Sequence, residues 1–300
     1  MIYPYILLIF ATNKIQFHRM KKKYLSILLA SATTIFFVGC NNEEPQETIE
    51  ETPVEVVEEE REELILPSTI HLVSLFENAG IKYQDGVANT VDNASKYATK
   101  NSKLLNLGIY SADLSYGLLS DQFDLARAYF KQISDLANQT GMSEIYDPAL
   151  YTKRFEKNMG SRDSIVEMMN EIQQKTELYV YENDQPDLVI ITFAGAWIEA
   201  NYLAHKVRNA QNEKEINARF MEQMSFAKTL LIGLKQIQDP TQEITDLIAG
   251  VESIISTFNS LDVIKNRPAK TPYDQLNITN ADVDALAKTL VDLRSKIIQA

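Results

Sequence analysis

Apolar residues return at alternating spacings of three and four almost throughout residues 64–300, and this period constrains the chain more than any other feature it carries. Such spacing puts one side chain per turn on the same face of an α-helix, and that face must be buried against another helix. Ile244, Leu247, Val251, Ile254, Phe258 and Leu261 keep the spacing without a break, as do Val283, Leu286, Leu290, Leu293 and Ile297. Phe123, Ala126, Phe130, Ile133 and Ala137 do likewise. No pair of alternating runs reads as strands. The expected fold class is therefore all-α, a multi-helix bundle of antiparallel amphipathic helices with one buried face each.

Capping chemistry marks the boundaries. Asp147-Pro148 and Asp239-Pro240 each offer a side-chain acceptor followed by a proline whose missing N–H costs nothing in a first turn. Ser164 with Glu167 has the spacing of a capping box, and Gly80 and Gly141 stand where helices should stop. Helices are expected near 68–79, 90–100, 102–120, 122–140, 148–158, 163–181, 187–210, 213–238, 241–265 and 281–299. The Pro, Lys and Thr-rich stretch from Asn266 to Asn277 is the one sizeable internal loop, expected to cross an end of the bundle.

The first 63 residues have a different composition. From Met20, three lysines (Lys21, Lys22, Lys23) precede an apolar run from Tyr24 to Val38 that is short for a membrane span. The run ends at Phe37-Val38-Gly39-Cys40, which resembles a lipobox with Phe37 in place of the usual leucine. Residues 1–39 thus read as a signal peptide whose true start is expected at Met20, and Cys40 as the lipidation site. Several acyl chains such as palmitate on Cys40, each methylene contributing about 0.8 kcal/mol, would anchor the protein without spanning the bilayer. Residues 41–63 carry eleven Glu and one Arg among Pro, Thr and Val, a composition too polar to pack and expected to form an acidic disordered tether. The acids Glu43-Glu44 resemble the export signals that send some Bacteroidota lipoproteins to the cell surface. The expected address is the outer membrane, with residues 64–300 either periplasmic or surface-exposed.

Charge and cysteine content narrow the function. The formal net charge of -12 leaves -7 for residues 64–300, with no basic stripe to neutralise phosphates, so nucleic acid is not an expected partner. Cys40 is the only cysteine, which excludes an intramolecular disulfide and any Cys-based zinc site downstream. No P-loop, dinucleotide fingerprint or Gly-x-Ser-x-Gly turn occurs.

Two long helical hairpins, about 102–140 and 187–238, look loosely alike: Asp113-Leu114-Ser115-Tyr116 in one matches Glu199-Ala200-Asn201-Tyr202 in the other. Asp113 and Glu199 fall at the edge of apolar stripes, and either could be partly buried. Were the hairpins to pack as a pseudo-symmetric pair, these acids could converge with His205 into a polar pocket flanked by Tyr110, Tyr116, Trp197 and Tyr202. Buried carboxylates need a cation or hydrogen bonds, so the plainer expectation is pairing with Arg or Lys on a neighbouring helix, or with tyrosine hydroxyls. Glu199 and His205 are six residues apart, which does not fit a di-iron Glu-x-x-His site, and neither a metal nor another cofactor is expected. His71 reads as a surface or core-edge residue. Small residues at Ala194-Gly195-Ala196, beside Trp197, suit a close helix crossing.

Leu105-Asn106-Leu107-Gly108-Ile109-Tyr110-Ser111-Ala112-Asp113-Leu114-Ser115-Tyr116, and again Ala194-Gly195-Ala196-Trp197-Ile198-Glu199, resemble a group of uncharacterised Bacteroidota-type all-helical envelope lipoproteins over most of residues 66–265. The resemblance implies export and a helical fold and transfers no site. Two functions are carried forward. The first is a non-enzymatic envelope lipoprotein acting as a protein-interaction or structural module, with the membrane and an envelope protein as partners. The second is a small-molecule receptor or hydrolase built on the Asp113, Glu199 and His205 pocket.

Overall fold

The computed structural model of the protein describes residues 66–299, and the expected signal peptide, Cys40 and acidic tether lie outside them. The described chain is all-α, without a strand. Its helices are α1 (Thr69–Asn78), α2 (Lys100–Leu119), α3 (Phe123–Thr140), α4 (Pro148–Lys157), α5 (Arg162–Asn183) and α6 (Pro186–Val207). They continue as α7 (Glu213–Glu222), α8 (Met224–Lys235), α9 (Gln242–Ser260), the short α10 (Asp262–Lys265) and α11 (Asn280–Gln299).

The expectation of one buried face per helix holds for the outer helices and is corrected for two. In α2 every residue from Leu104 to Leu118 is buried, and α6 is buried from Phe193 through Asn201. A helix enclosed all round is the centre of a fold, not its wall. α6 is long and apolar enough to cross a membrane, yet most of it lies buried against its neighbours.

The two central helices pack on each other more extensively than any other pair. Their sequences explain how they come so close. A Cβ on Gly108 would collide with the Thr192 carbonyl oxygen, and a Cβ on Gly195 with that of Leu105. The two glycines thus face opposite backbones at one crossing, the role expected for the small residues around Gly195. The conventional stripes of α3, α9 and α11 then close around this centre: Phe130, Ile133, Ile254, Leu286 and Leu290 are all buried.

Several boundaries depart from the expected ones. Asp147 caps α4 as predicted, accepting from the N–H of Ala149 at 2.9 Å, and Gly80 and Gly141 have φ of +92° and +91° just after α1 and α3. The Asp239-Pro240 cap is displaced to Thr241, whose hydroxyl accepts from the Ile244 N–H. Ser164 lies inside α5, which begins at Arg162, so its expected capping box with Glu167 does not start the helix. A capping box occurs instead at Thr99 and Ser102, where α2 begins.

The helix expected over 90–100 is a 3-10 turn at Val91–Lys96, because tertiary contacts take the local backbone groups. Hydroxyls of Tyr129 and Tyr110 bond the carbonyls of Asn89 and Thr90, at 2.7 and 2.9 Å. The helix expected over 213–238 breaks at Gln223, whose carbonyl accepts from the Trp197 indole at 3.2 Å. The helix expected over 241–265 ends at Ser260, since Leu261 turns extended before α10.

Candidate functional site

Asp113 sits midway along α2 and Glu199 midway along α6, five and four residues beyond the glycines of the crossing. The crossing therefore delivers both carboxyl groups to the same interior region. Both residues have 0% exposure. Isolated charges there would carry a prohibitive desolvation cost, so partners decide what this pair can be.

Glu199 is held by Arg294 of α11. The guanidinium donates from Nε to Oε2 at 2.5 Å and from Nη2 to Oε1 at 2.8 Å, a two-pronged contact that fixes both side chains. Its flat face lies 3.7 Å from the centre of the Tyr202 ring, which covers the ion pair by a cation–π contact. Asp113 accepts from the Asn89 N–H through Oδ2 at 3.2 Å and lies near enough to the Glu199 carboxyl for each to feel the other's charge. Two buried carboxyl groups so near each other disfavour a second negative charge.

Asp113 is the carboxyl whose charge these surroundings disfavour. Burial, and then the neighbouring charge of Glu199, push its pKa well above the ordinary value, and the more distant pull of Arg294 does not reverse this. Its Oδ1 has no hydrogen-bond partner among the described residues. With Asp113 neutral, the Arg294–Glu199 pair leaves the centre electrically balanced.

Asp113 also fastens the segment between α1 and α2. Asn89 is bonded at its N–H by Asp113 and at its carbonyl by Tyr129, while its amide donates to Tyr97 at 3.0 Å and accepts from Asn93 at 2.8 Å. Tyr116 accepts from the Gln84 N–H at 2.7 Å and donates to the Lys82 carbonyl at 2.9 Å. Burial raises these phenols, Tyr116 to about 12, and keeps them neutral donors.

Of the seven residues singled out from the sequence, Asp113, Glu199 and Tyr202 come together around Arg294, while Tyr110 bonds the Thr90 carbonyl. Tyr116 serves the adjoining loop and Trp197 the Gln223 carbonyl. His205 points to Asp284 instead, with Nδ1 3.6 Å from Oδ1, and that carboxylate is already bound by Arg208 at 2.5 Å. Burial and then the Arg208 charge lower the His205 pKa, so the ring is neutral near pH 7 and makes no ion pair. His71 is exposed. The described residues contain no group of three or more His, Cys, Asp or Glu that could hold a metal.

Arg294, the residue on which the centre depends, was not singled out. Its signal was legible: it lies four residues after Leu290 and three before Ile297, on the apolar stripe of its own helix. Asn89, in an irregular segment, gave no such signal.

Two cavities are well defined. One, of about 50 Å³, lies between α1, α2, α3 and α5 beside Ser111, Leu114 and Tyr146; the other, of about 260 Å³, lies under the loop after α10. Neither is lined by Asp113, Glu199 or His205. Comparison with family models, with curated proteins and with solved structures finds no match.

Proposed function

We propose that this protein is a non-enzymatic lipoprotein of the cell envelope, anchored in the outer membrane through acylated Cys40, whose helical domain serves as an interaction or structural module. The anchoring half of this reading rests on the Lys21–Lys23 start, the short apolar run and the Gly39-Cys40 terminus. The non-enzymatic half is carried by one observation. Asp113 and Glu199 have no exposed surface and are held by Asn89 and by Arg294.

A hydrolase using those carboxylates would have to admit a substrate and water past the Tyr202 ring and displace Arg294. That would leave a buried anion without its cation, at a cost of about 3–5 kcal/mol. The arrangement is better suited to fixing α2, α6 and α11 in one geometry than to turnover.

Metabolic labelling with a clickable palmitate analogue tests the anchor: the protein should carry the label and sediment with membranes, and Cys40→Ser should abolish the label. An unlabelled wild-type protein would refute it. Crosslinking of intact cells, followed by capture of the protein, tests the module. A defined envelope protein crosslinked to residues of the helical domain supports the reading, whereas recovery of abundant bystanders alone, with known envelope complexes preserved, counts against it.

A further inference from the structure

The loop from Asn266 to Pro272 carries a feature that the buried centre does not explain. Together with Lys228 of α8 and the ends of α9 and α10 it borders the open cavity of about 260 Å³. Three of the lining residues are cationic, Lys228, Arg267 and Lys270, and none is acidic. This occurs in a domain whose formal charge is -7 over residues 64–300.

Among the described residues the three cations form no ion pair with a carboxylate. The ion pairs of this corner are Lys235 with Glu252 at 2.5 Å and Lys265 with Asp262 at 3.9 Å, and neither uses the three that line the cavity. Arg267 is pre-positioned: Nε donates to the Thr271 carbonyl at 2.6 Å, and the guanidinium lies 3.9 Å from the centre of the Tyr273 ring. That leaves the two terminal nitrogens, the fork that matches an oxyanion. Lys228 rests 5.5 Å from the Phe258 ring centre, and Phe258 meets Tyr273 edge-on. Lys270 has a φ of +64°, a left-handed conformation that a residue with a Cβ adopts at a cost.

We propose that this cavity binds a phosphate-bearing ligand, either a free phosphate compound or the phosphate of a lipid headgroup. Three clustered cations repel one another and are relieved by an anion of more than one charge, which a phosphate supplies and a single carboxylate does not. The volume is below the roughly 300–1,000 Å³ of pockets for drug-sized molecules, so it suits a small group or one end of a larger ligand. The site is independent of the anchoring and interaction reading above.

The intact protein in a neutral detergent gives the test, in two arms. Equilibrium dialysis with radiolabelled orthophosphate measures free phosphate binding. Thermal unfolding in micelles doped with phosphatidic acid, against micelles doped with phosphatidylcholine, measures headgroup binding. Each arm is run on wild type, on Arg267→Ala and on Lys228→Gln/Lys270→Gln. The second variant keeps the Arg267–Tyr273 stack and so guards against loss through a loosened loop.

Orthophosphate binding that weakens about tenfold or more in both variants identifies a free phosphate compound. Indifference to orthophosphate, with a melting temperature raised by phosphatidic acid only in wild type, identifies a headgroup. Absence of both responses, or responses undiminished in Lys228→Gln/Lys270→Gln, overturns the proposal.

Discussion

Charged groups meet opposite conditions in two regions of this molecule. Around Glu199 they are sealed in, and each has a partner: Arg294 for Glu199, the Asn89 N–H for Asp113. Around Lys270 they line a cavity, and among the described residues Lys228, Arg267 and Lys270 are matched by no carboxylate. The first arrangement holds helices; the second leaves charge available. The contrast teaches that a polar residue on an apolar stripe says little about function until its partner is known. Four substitutions sharpen or break it.

The largest effect is expected at the crossing that creates the interior. Gly195→Ala drives a methyl group into the Leu105 backbone, and since a carbonyl cannot swing aside as a side chain can, the helices must separate. We expect a loss of about 4 kcal/mol or more in urea unfolding. Wild-type stability in this variant would show that the interior does not depend on close approach.

Next comes Arg294→Met, which fills the space but leaves Glu199 without its cation beside Asp113. A loss of about 3 kcal/mol or more is expected near neutral pH. Adding Glu199→Gln removes the stranded charge and should recover much of the loss. A double variant as weak as Arg294→Met alone would mean that packing, not charge, is what Arg294 supplies.

Asp113→Asn distinguishes a neutral acid from an ionised one. The folded-state pKa is raised, so the folded protein keeps a proton that the unfolded chain releases above its ordinary value of 3.8. Stability from this group is therefore full below 3.8 and falls as pH rises, by at most about 1.4 kcal/mol per pH unit, until the folded Asp113 itself ionises. An amide imitates the protonated acid and still accepts from Asn89. The variant should lack that part of the slope and equal or exceed wild type at pH 7. A variant that is weaker at pH 7 and has the same slope contradicts a neutral Asp113.

The smallest effect on stability is expected in the other region. Lys228→Gln/Lys270→Gln should change the unfolding free energy by less than about 0.5 kcal/mol, since neither lysine makes an ion pair among the described residues. A substantial gain or loss would show that these cations matter to the fold in a way the geometry does not reveal.

Much of the fold was readable because three-and-four spacing is a local property: the stripes of α3, α9 and α11 and the Asp147 cap need no knowledge of the rest of the chain. The errors fall where distant groups intervene. Asn89 and Thr90 give their carbonyls to Tyr129 and Tyr110, and an expected helix becomes a 3-10 turn. Trp197 takes the carbonyl at Gln223 and divides another. The nearness of Asp113 and Glu199 could be anticipated from their matched places in two hairpins. The partner of Glu199 lies 95 residues away, and only the oddity of an arginine on an apolar stripe pointed to it. His205 looked equivalent to Tyr202 by position, yet one further turn of α6 carries it to Asp284.

Carbon-13 NMR of the Asp113 carboxyl in the intact protein at pH 7 tests the buried centre most directly. The account predicts the chemical shift of a neutral acid, unchanged across the neutral range and slow to exchange its proton with solvent. An ionised Asp113 at pH 7, or one whose signal follows solvent pH like a surface carboxylate, would contradict it.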